Sequence, residues 1–67
     1  MFINIKGTRI NMDEVVAYTY NSDGNLVFSF NTMDPIVIVC EGHAQGLVWI
    51  EKIDNLLNVT RIDPIKD

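Results

Sequence analysis

Short runs of alternating apolar residues, broken by turn-like stretches, fill the chain from Phe2 to Phe30, and after Gly42 the apolar spacing changes to three-to-four. The first period predicts strands and the second a helix. Phe2 to Lys6 alternates, with Ile3 and Ile5 on one side, and Lys6-Gly7-Thr8 reads as a turn. Arg9 to Met12 alternates again, bringing Ile10 and Met12 together. Asp13-Glu14 interrupts the pattern and predicts a bend or bulge. Next comes Val15 to Phe30, VVAYTYNSDGNLVFSF, two alternating runs around Asn21-Ser22-Asp23-Gly24-Asn25. Asp-Gly supplies the positive φ that a tight reversal needs, so this stretch predicts a hairpin. With Asn21 to Asn25 as its loop, Tyr20 lies opposite Leu26, Tyr18 opposite Phe28 and Val16 opposite Phe30. These six form the heaviest apolar patch the chain can make and are assigned to the core. The other face then carries Val15, Ala17, Thr19, Val27 and Ser29, none of them charged.

Asn31 to Pro35 reads as the next turn, and Ile36 to Cys40 (IVIVC) is apolar at every position. An unbroken apolar run predicts a strand covered on both faces, Val37 and Val39 on one and Ile36, Ile38 and Cys40 on the other. From His43 to Asn58 the helical period places Trp49, Ile50, Ile53, Leu56 and Leu57 in one stripe, with Glu51, Lys52, Asp54 and Asn55 opposite. Gly46 falls on the apolar side, where a missing side chain permits close approach to the sheet. Leu47 and Val48 fall on the polar side, outside the stripe. The expected fold is α+β: an antiparallel four- to five-stranded meander sheet followed by one C-terminal amphipathic helix packed on one face. Residues 1–58 form the domain. Residues 59–67 form a tail, a short strand or a partner-binding arm, with Pro64 against continued helix.

A single domain of 67 residues buries only about 60% of its unfolded surface, so its margin is thin. The usual supplements are a disulfide, a metal or a partner. One cysteine and one histidine leave no internal disulfide and too few ligands for structural zinc, which wants about four. The partner remains. One helix covers one sheet face, and nothing else in the chain is large enough for the second. The expected partner surface is Val15, Ala17, Val27, Ile36 and Ile38, with Leu47 and Val48 on the helix. The expected partner is a second copy of the chain, or another protein. Five basic residues against nine acidic give a net charge of −4, the reverse of what phosphate neutralisation requires of a nucleic-acid binder. No apolar run is long enough to span a bilayer and no signal segment is visible, so a soluble cytoplasmic protein without membrane insertion is expected.

Three clusters carry possible chemistry. Cys40-Glu41-Gly42-His43 sets a thiol, a carboxylate and an imidazole near a helix start, as an activated thiolate requires. No second polar cluster accompanies it, so the simpler reading is a small apolar strand residue followed by a loop histidine. Asn21 to Asn25 has the oxygen-rich look of half a calcium loop, but Val27 to Phe30 stands where the later ligands belong. Tyr18, Tyr20, Phe28 and Phe30 have the composition of a stacking platform for single-stranded nucleic acid, yet aromatic pairs across a hairpin are more often core. No catalytic residue, cofactor or metal is therefore predicted, and the chain is read as a non-enzymatic interaction or regulatory module.

One resemblance exists at the level of pattern. Ile5-Lys6-Gly7 through Asn11, then Val15, Val16 and Tyr18, then Val37-x-Val39-x-Glu41 before a helix, resembles the small bacterial flagellar proteins of the FlbD/SwrD type. The likeness covers residues 3–57 and rests on few identities. The family's Thr-Arg-Leu-Asn-Gly opening and Pro-Asp-Thr turn are absent. The resemblance implies a non-enzymatic flagellar accessory and carries no binding residues over.

Overall fold

A computed structural model describes residues 1–60 and Ile62. Strands β1 (Phe2–Ile5) and β2 (Thr8–Asn11) form a two-stranded antiparallel sheet. The reversal between them is two residues long, and both Lys6 and Gly7 have positive φ, 53° and 89°. That is the backbone a right-twisted hairpin favours. Asn4 supports it by accepting a hydrogen bond from the Gly7 N–H at 3.0 Å. A single 3-10 turn, Met12–Glu14, follows, with the Asn11 side chain accepting from the Asp13 N–H. Strands β3 (Val15–Tyr20), β4 (Asn25–Phe30) and β5 (Ile36–Val39) then make a second antiparallel sheet with β4 in the middle. Helix α1 (His43–Leu57) closes the described fold.

The strands thus divide between two sheets, and no single meander forms. The reason lies at Met12–Glu14. The tight turn there redirects the chain, so β3 does not continue the ladder of β2. The first hairpin instead contributes Ile5 and Ile10, and the turn contributes Met12, to the core that Leu26, Phe28, Ile38, Cys40 and the helical Ile53 also build. Hairpin and helix share the work of covering one side of the β3–β4–β5 sheet.

The central hairpin keeps the expected register at its tip, with Tyr20 opposite Leu26 and Tyr18 opposite Phe28. Gly24, at φ 85°, donates its N–H to the Asn21 carbonyl, and the Asn21 side chain accepts from the Asp23 and Asn25 N–H groups. Lower down, the register shifts. A bulge between Val15 and Ala17 sets Val15, not Val16, opposite Phe30. The extra residue exchanges the two valines: Val15 packs against the core and Val16 is 56% exposed.

In the helix, Ile53 is buried and Trp49, Ile50 and Leu57 pack against the core, while Leu56 points outward. Leu57 lies a full heptad from Ile50 and takes the inner position that Leu56 only flanks. Gly46 is buried against the Tyr20 ring, and a Cβ there would overlap that ring. The helix starts without a side-chain cap from Gly42, but Gln45 reaches back to accept the Glu41 N–H at 2.8 Å. It ends on Asn58, left-handed at φ 60°. The Asn58 and Val59 N–H groups satisfy the Asn55 and Asp54 carbonyls there. The tail expected at 59–67 falls largely outside the described residues.

Candidate functional site

Cross-strand register decides what the second face of the three-stranded sheet contains. Val27 pairs with Thr19 on one side and with Val37 on the other. Ala17 pairs with Ser29, and Asn25 with Val39. Side chains directly opposite project to the same face, so Ala17, Thr19, Asn25, Val27, Ser29, Val37 and Val39 share one surface. Leu26 and Phe28, pointing the other way, are 0% exposed. Val37 and Val39 are 52% and 65% exposed, and Ala17 and Thr19 are also exposed. Among the described residues nothing packs over this face, and none of its side chains is charged. A strand face turned permanently to water ordinarily carries Lys, Glu or Arg.

The surface differs in membership from the sequence expectation. Ala17 and Val27 are on it. Val15 is not, because the bulge turns it inward. Ile36 and Ile38 are not either: they pair with Phe28 and Leu26 and face the core, with Ile38 buried. Val37 and Val39 replace them. The parity was readable in advance, because a five-residue reversal at Asn31 to Pro35 sets even-numbered residues opposite even-numbered ones. Leu47 and Val48 are exposed on the helix, away from the core stripe.

The clusters with possible chemistry are drawn into structural work. Cys40 is buried, its nearest acceptor the Ile38 carbonyl at 3.9 Å, while the His43 Nδ1 lies 3.0 Å from the Tyr20 hydroxyl. Thiol and imidazole have different partners and do not form a couple. The Asn21 side-chain oxygen is occupied by backbone N–H groups, which closes the hairpin rather than a cation site. The four aromatics point into the fold. Tyr18 stacks on Phe28 at 6.0 Å between ring centroids, Phe28 is fully buried, and the edge of Tyr20 meets His43. The Tyr18 and Phe28 ring faces are thus taken up by packing against each other and the core.

One polar contact in the core rim has no counterpart in the sequence reading. Tyr18 donates its hydroxyl to Asp54 Oδ1 at 2.7 Å, joining β3 to α1. Burial, then the hydrogen bond to Asp54 and its negative charge, push the Tyr18 hydroxyl from 10.0 up to about 12. The pair latches strand to helix. The alternation of β3 and the polar side of the helix each predict one partner, but no local pattern joins them across that separation.

No protein-family model, no curated protein and no solved structure matches this chain. The flagellar likeness rests on the quoted residues alone. Among the described residues, no helix is long and apolar enough to cross a membrane.

Proposed function

We propose that the protein is a small non-enzymatic interaction module that self-associates, as a homodimer, through the open face of the β3–β4–β5 sheet. The observation that supports it is the uncharged row Thr19–Val27–Val37 with Val39 and Ala17 beside it, uncovered among the described residues. Removing roughly 400 Å² of apolar surface from water per chain is worth about 10 kcal/mol before the cost of association. That gain is comparable to the whole stability of a domain this small. The reading assigns the core aromatics no function beyond packing. It sets the protein in the cytoplasm, in keeping with a lone free thiol.

Sedimentation velocity across the micromolar range tests it. The wild type is expected to sediment as a dimer. Val37→Lys is expected to sediment as a folded monomer, because the half-exposed position accommodates a lysine in the isolated chain. Val27→Lys, at the centre of the row, is expected to do the same with some loss of stability. A wild type that stays monomeric throughout, or a Val37→Lys variant that stays dimeric, overturns the assignment of the face.

A further inference from the structure

The two outer strands of the three-stranded sheet end differently. Along β5, the Lys6 ammonium occupies the Val39 carbonyl at 3.0 Å. Along β3, no described residue makes a backbone hydrogen bond to the outer edge. Asn21 bonds to Asn25 across the hairpin at 3.0 Å. By the alternation of an antiparallel ladder, Thr19 and Ala17 then face β4, while the main-chain groups of Tyr18 and Tyr20 point outward. Residues 15–20 contain no charge and no proline, two devices that commonly protect an edge.

Beside this edge runs a groove of about 480 Å³ between β3 and the C-terminal half of α1. Its apolar floor includes Val15, Ile50, Leu57 and Val59, and the Tyr18–Asp54 hydrogen bond lies within it. Among the described residues the lining holds no lysine or arginine. Its neighbouring rims carry Glu51 on one side and Glu14 with Asp13 on the other. Asp13 is taken by the N-terminal amine at 2.9 Å, whereas Glu51 has no partner among the described residues. Asp54 uses only Oδ1 on Tyr18.

We propose that the β3 edge and this groove bind an extended basic peptide segment of a partner protein as a fourth strand. Main-chain hydrogen bonds to Tyr18 and Tyr20 supply affinity, as in other strand additions. Side-chain alternation sets the sequence recognised: residues two apart fall on the helix side of the added strand. An apolar residue there fills the groove. A lysine or arginine two positions before and after it reaches the carboxylates of Glu14, Glu51 and Asp54. The groove adjoins the open face at Ala17 and Thr19, but it draws on the strand edge and the helix rather than on the valine row, so the proposal goes beyond self-association and does not depend on it.

The test uses the full chain and a fluorescein-labelled, capped threonine peptide carrying lysine-x-valine-x-lysine, followed by fluorescence anisotropy in wild type and in Val37→Lys. Saturable binding in the micromolar range is expected in both. Replacing both lysines of the peptide by glutamate is expected to abolish it. Asp54→Asn with Glu51→Gln is expected to weaken it about tenfold and to flatten its salt dependence. Backbone N-methylation separates strand addition from plain charge attraction. Methylating the amides that face β3 should cost about tenfold for each donor lost, and methylating the alternate set should cost little. Equal effects of the two patterns, or no saturable binding, overturn the proposal. So does slow amide exchange at Tyr18 and Tyr20 in the free protein, which would mean that a second copy or residues 61–67 already hold the edge.

Discussion

The two faces of the β3–β4–β5 sheet are made from alternate residues of the same strands, yet they have opposite fates. One carries Leu26, Phe28, Ile36 and Ile38 with Tyr18 and Tyr20, and it lies beneath a helix and a folded-back hairpin. The other carries Ala17, Thr19, Val27, Val37 and Val39, and it is open among the described residues. Bulk separates them more than polarity does. The inner face holds rings and long aliphatic chains, the outer face β-branched and small residues. A valine and threonine surface suits strand conformation and packs flatly. The chain has concentrated its large side chains where one helix can reach them and kept the other side smooth.

That contrast is open to direct attack. Phe28→Ala should have the largest effect, about 3–5 kcal/mol, since the ring is wholly buried and leaves a cavity beneath the helix. Urea titration followed by circular dichroism should show a largely unfolded variant, whereas Val37→Ala should shift the midpoint far less.

Gly46→Val should come next, at about 1–3 kcal/mol, because a side chain there collides with the Tyr20 ring. Tyr20→Ala in the same chain should relieve the collision. The double variant should then lose less than the sum of the two single losses. Strict additivity would mean that helix and sheet do not meet at that point.

Tyr18→Phe should cost about 1 kcal/mol for the lost hydrogen bond to Asp54. The same variant isolates a pH effect. The Tyr18 hydroxyl ionises near 10.0 in the unfolded chain and near 12 in the folded one, so folding favours its neutral form. Its contribution is complete below pH 10 and declines as pH rises through 12. Urea midpoints of wild type should fall relative to Tyr18→Phe across that window and run parallel below it.

Smallest of all should be Val37→Ala or Val39→Thr measured on dilute, monomeric protein, within about 0.5 kcal/mol of wild type. At concentrations that favour association the same substitutions should become costly. A stability change that ignores protein concentration would place these valines outside any interface.

Much of the architecture is legible in the alternation itself. The central hairpin, its Gly24 turn, the third strand of that sheet and the helix follow from period and turn chemistry, as does the role of Gly46. Two features do not. Asp13-Glu14 signals a break, but whether a break merely bends a sheet or splits it depends on where Ile5 and Ile10 find cover. That is a tertiary choice. The bulge at Val16 is equally silent, since either valine suits either side and only packing against Phe30 selects Val15. For the candidate surface, Ala17 and Val27 were accessible from hairpin register. Val37 and Val39 needed one further step, the parity of the Asn31–Pro35 turn, because a strand that is apolar throughout gives no hint of which side is inside.

The Lys6 ammonium on the Val39 carbonyl has a consequence for how large an assembly can grow. Molecules joined head to tail, β3 of one on β5 of the next, would form an endless ribbon, but each junction would have to displace that lysine. The lysine is thus a local obstacle to edge pairing along β5, of the kind that blunts sheet edges elsewhere.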